Sequence, residues 1–168
     1  MQRKIGRRKL ALSRILGVTL IIAVLDQISK LAILDLLGFP GQEITILPNC
    51  FSLIRVSNQG TAFGLFAQQN SLFVVVSLII IAVLLFYSYR FFHYGTLFQV
   101  ASGLILGGAI GNLIDRLERG GVVDFLDCYL RIGGKEFHWP AFNLADSAIC
   151  IGVALLMFLT FRHRKKEE

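Results

Sequence analysis

Residues 15–34 read ILGVTLIIAVLDQISKLAIL, a stretch of twenty residues with only two charged side chains, Asp26 and Lys30. A helix of about 20 predominantly apolar residues spans the hydrocarbon core of a bilayer, which is roughly 30 Å thick. Three more stretches of comparable length and apolarity follow, at residues 72–89, 97–114 and 141–161. The sequence therefore predicts an all-α membrane bundle of four transmembrane helices.

The overall composition agrees with a membrane protein. Hydrophobic residues make up 55% of the 168 residues, whereas soluble domains contain about 45–50% apolar residues. The net charge is +6, but the basic residues cluster at the ends of the chain and do not form a stripe interleaved with aromatic residues. We therefore expect no nucleic acid partner.

The positions of the basic residues predict the topology. Six basic residues precede the first span, Arg90 lies between the second and third spans, and four basic residues follow the fourth. Because basic residues concentrate on the cytoplasmic side, both termini are expected to be cytoplasmic. No small-residue cleavage site follows the first span, so it is interpreted as an uncleaved anchor within a single domain of residues 1–168.

The two long connections, residues 35–71 and 115–140, then lie outside the cytoplasm. Residues 43–66 are rich in β-branched and aromatic residues, interrupted by Pro48 and by a turn signal at residues 58–60, which predicts short strands. In the second connection, Gly133-Gly134 separates two strand-like segments and predicts a two-residue hairpin. We expect a small extracytoplasmic β-sheet.

The cysteines and histidines do not indicate a disulfide framework or a metal site. Cys50, Cys128 and Cys150 match no zinc spacing, and the three histidines have no ligand partner at a suitable spacing. A pairing of Cys50 with Cys128 remains open. No metal and no cofactor are expected.

Polar residues are concentrated at one end of the predicted spans. An ionisable group at the centre of a membrane helix costs about 2.5–3.5 kcal/mol on insertion scales, so each one requires a physical reason. Three clusters fall in the outer half of the bundle, where the direction of the spans allows them to meet. The clusters are Asp26 with Lys30, Asn112 with Asp115 and Arg116, and Asn143 with Asp146. In the third span, Gly103, Gly107 and Gly111 form a small-residue face that allows another helix to approach closely.

Asp124 lies among apolar residues in the second outer connection. If it met Asp146, the two carboxyl groups could share one proton, as an aspartic protease requires. One group would act as a general base on water, and the protonated group would polarise the scissile carbonyl and later protonate the leaving amine.

Each of these residues also has a purely structural interpretation. Asp26 and Lys30 form a possible i, i+4 ion pair, and Asp115 with Arg116 can neutralise a helix end. Asn143 and Asp146 gain from a helix N-terminus, and Asn58 can close a turn. Two other functions also use polar groups in a helical bundle: a small transporter or proton-coupled channel, and a non-enzymatic adaptor.

Four matches, in this order along the chain, resemble the motifs of the lipoprotein signal peptidases, or signal peptidase II. They are Asp26–Lys30 (DQISK), Asn58–Gly64 (NQGTAFG), Gly111–Arg116 (GNLIDR), which runs on through Gly121–Phe125 (GVVDF), and Phe142–Asp146 (FNLAD). The resemblance covers about residues 25–149 and includes the layout of four spans.

The resemblance implies an aspartic endopeptidase of the bacterial cytoplasmic (inner) membrane with an extracytoplasmic active site and no metal or organic cofactor. Its partners would be membrane lipid and prolipoproteins that carry a diacylglyceryl-modified cysteine, and it would cut just before that cysteine. We expect a monomer. The catalytic pair maps onto Asp124 and Asp146, and Asp115 is assigned a structural role. The residues assigned to substrate binding or to support of the pair are Asp26, Lys30, Asn58, Gly60, Asn112, Arg116, Asn143 and Ala145.

Overall fold

The fold is a bundle of four long helices with a small antiparallel sheet at one end. The computed structural model describes residues 2–60, 70–90 and 95–164. In chain order the elements are helix α1 (Gln2–Leu36), strands β1 (Glu43–Leu47) and β2 (Phe51–Asn58), helices α2 (Asn70–Arg90) and α3 (Thr96–Glu118), strands β3 (Val122–Ile132) and β4 (Lys135–His138), and helix α4 (Leu144–Arg164). All four helices are long and apolar enough to cross a membrane.

The predicted four spans and the small sheet are therefore confirmed. Helix α1 is longer than the predicted span 15–34, because the basic N-terminal residues, which are good helix formers, continue the helix outward. Parts of several predictions lie outside the described residues: residues 61–66 of the expected strand region, residues 61–64 of the second motif, His93, Lys165 and Lys166.

Small residues bring α3 against its two closest neighbours. A side chain added at Gly103 or Gly107 would collide with Val18 or Ile22 of α1, so the two helices run parallel in close contact. On another side of α3, Gly108 lies against the backbone of Ala145 in α4. The predicted small-residue face is thus a helix-packing surface. Its packing places the end of α1, the end of α3 and the start of α4 together.

The sheet has the order β1-β2-β3-β4, with all neighbours antiparallel. The first half of β3 pairs with β2, and the second half pairs with β4. Gly133 and Gly134 close the predicted hairpin between Ile132 and Lys135 with φ angles of +59° and +79°. Glycine adopts such angles without steric cost, and a tight hairpin turn requires them.

Two contacts attach the sheet to the ends of the helices. The backbone carbonyl of Phe142 accepts hydrogen bonds from the backbone N–H groups of Phe125 (3.0 Å) and Leu126 (2.8 Å), which ties β3 to the residues just before α4. The Phe125 side chain is buried with Ile33 and Leu37 at the end of α1. The middle of β3 is therefore held directly over the convergent helix ends. The three cysteines are free thiols.

Candidate active site

The centre of the polar end of the bundle is a buried cation. The Lys30 ammonium lies 2.8 Å from Asp26 Oδ2 and 2.9 Å from Asp115 Oδ2, with all three side chains fully buried. Its third hydrogen bond, of 2.9 Å, goes to Asn112 Oδ1. An ammonium has three donors and no acceptor, so Lys30 is fully satisfied. The i, i+4 pair predicted from the sequence is present, and it extends across to α3.

Asp115 connects this cation to the sheet. Its carboxylate accepts hydrogen bonds from the Gln27 side chain (3.0 Å) and from the backbone N–H of Val123 (3.0 Å). The half-buried Arg119 guanidinium completes the set at 2.6 Å. Asp26, Lys30, Asp115 and Arg119 together are called the buried charge network, and their formal charges sum to zero. Asp115 thereby fixes the strand residue next to Asp124.

Gln27 and Arg119 also belong to the contacts of this network, and neither was predicted from the sequence. Gln27 lies inside the quoted DQISK motif, and Arg119 follows Asp115 by four residues, so it occupies the next turn on the same helical face. That spacing was the available signal for Arg119. The orientation of Gln27 toward α3 depends on how α1 is rotated in the bundle.

The start of α4 is a capping box formed by Asn143 and Asp146. Asn143 Oδ1 accepts from the backbone N–H of Asp146 (2.9 Å), and Asp146 Oδ2 accepts from the backbone N–H of Asn143 (3.2 Å). This reciprocal pair satisfies two backbone donors at the helix start. The backbone N–H of Ala145 donates to Asp26 Oδ1 at 3.0 Å. Asn143 and Asp146 thus cap the start of α4, as the structural interpretation predicted. The same contacts hold the Asp146 carboxylate in one position.

Asp124 is buried in β3, with 3% of its surface exposed. Its Oδ1 accepts from Asn143 Nδ2 at 2.7 Å, and its Oδ2 accepts from Asn58 Nδ2 at 2.8 Å. The Asn58 oxygen accepts from the backbone N–H of Gly60 at 2.9 Å. Asn58 therefore closes a turn, as its structural interpretation predicted, and the turn directs its amide nitrogen at Asp124.

Asn112 and Asn143 connect the two aspartates. Asn112 Nδ2 donates to Asp146 Oδ1 at 2.8 Å, and Asn143 Nδ2 lies 3.2 Å from Asn112 Oδ1. Since Lys30 can only donate, it orients the Asn112 oxygen toward itself and the Asn112 nitrogen toward Asp146. Asn143 contacts Asp124 through its side chain and Asp146 through its backbone N–H. The Asp124 and Asp146 carboxylates are therefore close enough for one residue, Asn143, to donate a hydrogen bond to each.

Burial favours a proton on Asp124. Removal from water, with a smaller contribution from the nearby Asp146 carboxylate, raises the pKa of Asp124 from 3.8 to about 6 against the lowering effect of the Asn58 and Asn143 hydrogen bonds. Two carboxyl groups in such a site ionise less readily together than separately. The arrangement can hold one proton between two acids near neutral pH.

Arg116 and Gly60 lie at the border of the site. The Arg116 guanidinium donates to the backbone carbonyl of Asn112 (3.3 Å) and lies 5.5 Å from the centre of the Phe73 ring. Among residues 2–60, 70–90 and 95–164, Arg116 forms no ion pair. Any stabilisation of negative charge on Asp124 and Asp146 by Arg116 is therefore a long-range electrostatic effect without direct contact. Gly60 has a φ of +102°, and a side chain there would overlap Phe73.

Comparison with known proteins gives one consistent result. A family model described as signal peptidase (SPase) II matches residues 18–162. The lipoprotein signal peptidase of Halothermothrix orenii is 41% identical over 148 residues, which is 88% of this chain and 95% of that protein. The lipoprotein signal peptidase of Syntrophotalea carbinolica is 43% identical over 159 residues, covering 92% of this chain and 95% of that protein.

The architecture also matches a solved structure. A bacterial membrane enzyme has a TM-score of 0.79 at 29% identity, and the match covers 92% of this chain and 91% of that one. Both the sequence and the arrangement of the helices and sheet are therefore shared over nearly the whole chain.

Proposed function

We propose that this chain, which belongs to the signal peptidase II family and is a peptidase, removes signal peptides from bacterial prolipoproteins by aspartic catalysis with Asp124 and Asp146. The bond cut lies just before a diacylglyceryl-modified cysteine. The observation that carries the proposal is the bridging of the buried Asp124 carboxylate and the partly buried Asp146 carboxylate by Asn143 and Asn112 at the end of the bundle.

The chemistry requires one ionised and one protonated carboxyl group. The ionised aspartate accepts a proton from water as the water oxygen attacks the scissile carbonyl carbon. The protonated aspartate donates a hydrogen bond to the carbonyl oxygen. The resulting tetrahedral intermediate collapses when this aspartate gives its proton to the leaving nitrogen, which leaves the proton taken from water on the other aspartate. The raised pKa of Asp124, about 6, supports a shared proton at neutral pH.

The surrounding residues position this pair. Asn58 and Asn143 supply N–H donors to Asp124, and Asn112 supplies one to Asp146, without adding charge to a site of low dielectric. The buried charge network holds Asn112 and the start of β3 in register. Asp26, Lys30 and Asp115 are thus positioning residues. Arg116 acts on the charge of the pair over a distance.

The location of the site suits a substrate that is both a membrane helix and a lipid. The carboxylates lie where the helices end and the sheet begins, so the cleavage point of such a substrate reaches them from within the bilayer plane. The basic residues at both termini support a cytoplasmic location for those ends and, with it, a site at the extracytoplasmic face of the bacterial inner membrane.

The decisive experiment uses three single substitutions in proteoliposomes with a prolipoprotein substrate, supplied with and without its diacylglyceryl group. Asp124→Asn and Asp146→Asn should each abolish cleavage. Asp127→Asn is the matched control, because Asp127 is also buried in β3 but contacts His138 instead of the site. It should cleave at a rate close to that of the wild type.

The outcome separates the proposal from its competitors. Retained cleavage in either dyad variant would contradict the aspartic mechanism, and equal cleavage of the substrate without lipid would contradict the stated substrate class. An ion conductance across the proteoliposomes that depends on Asp124 would instead support the transporter or channel. Absence of cleavage by the wild-type protein, with and without the diacylglyceryl group on the substrate, would support the non-enzymatic adaptor.

A further inference from the structure

The hairpin formed by the second half of β3 and by β4 has two chemically different faces. Its cross-strand pairs are Tyr129 with His138, residue 130 with 137, residue 131 with 136, and residue 132 with 135. The pairing continues one step, because the backbone N–H of Trp139 donates to the carbonyl of Cys128 at 2.8 Å. Since side chains alternate along a strand, residues 130, 132, 137 and 139 share one face.

The polar face is occupied by its own contacts. Tyr129 and His138 stack with their ring centres 5.0 Å apart, and His138 Nδ1 lies 2.9 Å from Asp127. Arg131 and Glu136 form an ion pair of 2.5 Å. This face also borders a cavity of about 440 Å³ toward the turn between β1 and β2. Its polar groups are therefore accounted for by neighbours in the fold.

The opposite face is apolar and exposed. Leu130 is 60% exposed, Ile132 64%, Phe137 60% and Trp139 70%. Scattered exposed apolar residues are ordinary on a protein surface, but four adjoining large ones on one side of a single hairpin form a patch that marks an interaction site. Lys135 lies on the same face, next to the glycine turn.

The position of the hairpin points to the bilayer as the partner. Trp139 lies five residues before Leu144, the first residue of α4, so it sits close to the level at which that helix leaves the hydrocarbon. Tryptophan is enriched at this depth, where its ring meets the headgroups. Lys135 adds a positive charge that suits anionic lipid headgroups. Helix α4 also carries exposed apolar side chains, among them Ile151 and Phe158, as a helix in contact with lipid does.

We propose that the face formed by Leu130, Ile132, Phe137 and Trp139 rests in the bilayer at the boundary between headgroups and acyl chains, so that the hairpin is a lipid-docked anchor for the sheet. This inference goes beyond the proposed peptidase chemistry and does not depend on it. It also explains why one strand of the sheet continues past the site into an exposed hairpin. The part of β3 that carries Asp124 would then be held at a constant depth.

The chain carries its own probe for this proposal, because Trp139 is its only tryptophan. The full-length protein is reconstituted into phosphatidylcholine vesicles whose acyl chains carry bromine either near the carbonyl end or near the methyl end. We expect emission shifted to shorter wavelength than that of tryptophan in water, with greater loss of emission for bromine near the carbonyl end. Aqueous iodide should quench it weakly.

Two double substitutions move the probe to each face. In a Trp139→Phe background, Phe137→Trp should reproduce the quenching by brominated lipid, whereas Arg131→Trp on the polar face should be quenched by iodide and not by lipid. If the native tryptophan were quenched by iodide and not by brominated lipid, the proposal would be overturned. Lipid quenching that appeared only after addition of a substrate peptide would equally overturn it, because the face would then bind substrate. Cleavage activity measured alongside distinguishes a failure of this proposal from a failure of the proposed function.

Discussion

Replacement of Lys30 by methionine tests whether the buried charge network holds the site together. The substitution keeps an unbranched side chain of similar length but removes the cation that lies between Asp26 and Asp115. Two fully buried carboxylates would then face each other without their shared counter-charge. The oxygen of Asn112 would also lose its 2.9 Å hydrogen bond from the ammonium, so that its amide could turn around.

The magnitude follows from the burial of all three groups. Removal of one partner from a buried ion pair costs about 3–5 kcal/mol, because an uncompensated charge is left in a medium of low dielectric. For a chain of this size, 1 kcal/mol lowers the melting temperature by about 2–4 °C. Lys30→Met should therefore lower it by about 6–20 °C. Cleavage should fall further than stability accounts for, since Asn112 no longer presents its nitrogen to Asp146.

The assay is thermal unfolding of the purified protein in detergent, with cleavage measured below the transition. Arg131→Met is the matched control, because it removes a cation from the exposed pair with Glu136, whose side chains are 54% and 38% exposed. Exposed pairs contribute about 0–1 kcal/mol. A combined Lys30→Met and Asp26→Asn variant should recover part of the stability, because it removes one of the two uncompensated charges. Equal destabilisation by Lys30→Met and Arg131→Met would refute the reasoning.

Three further predictions use other parts of the chain. Because burial raises the pKa of Asp124 from 3.8 to about 6, an infrared band of a protonated carboxyl should titrate near pH 6 and vanish in Asp124→Asn. The difference corresponds to about 3 kcal/mol of stability that is fully present below pH 3.8 and is lost as the pH rises through about 6. Gly111→Ala should reduce both stability and cleavage, since the added carbon would overlap the Asp26 carboxylate of the buried charge network. The control Gly17→Ala meets open space and should be neutral or stabilising by up to about 1 kcal/mol. The Asp127 carboxylate accepts a hydrogen bond from the protonated His138 ring and so raises the pKa of His138. A magnetic resonance titration should therefore give a midpoint above 6.5 that falls in Asp127→Asn, and the stabilisation from this pair is lost as the pH rises through that midpoint.

The elements of the fold could be predicted from local sequence patterns. Uninterrupted apolar runs indicated the four helices, and Gly133-Gly134 indicated the hairpin, because each signal depends only on residues that are close in the chain. The pairing of Asp26 with Lys30 could also be predicted from the sequence, since positions four apart share a helical face. The helix ends were placed less well, because polar and basic residues can continue a helix beyond its apolar part.

Several contacts at the site required the tertiary structure. The sequence placed Arg116 near the two aspartates, but only the folded chain directs its guanidinium to a backbone carbonyl and the Phe73 ring. From the sequence, capping of a helix and catalysis were two alternative roles for Asp146. In the structure, one carboxylate oxygen of Asp146 caps α4 while the other accepts a hydrogen bond from Asn112, so the two roles are compatible.

By itself, then, the sequence determined that this protein has four helices long and apolar enough to cross a membrane, with polar groups gathered toward one end, because hydrophobic length and helical spacing are properties of neighbouring residues. Only the tertiary structure decided which polar atoms meet. The rotation of α1 against α3 selects Asp115 and Asn112 as partners of Lys30, and the attachment of β3 to Phe142 brings Asp124 to Asn143. Those contacts join residues far apart in the chain, and they depend on how glycine-lined helices pack and on which donors remain unsatisfied when the charges are buried.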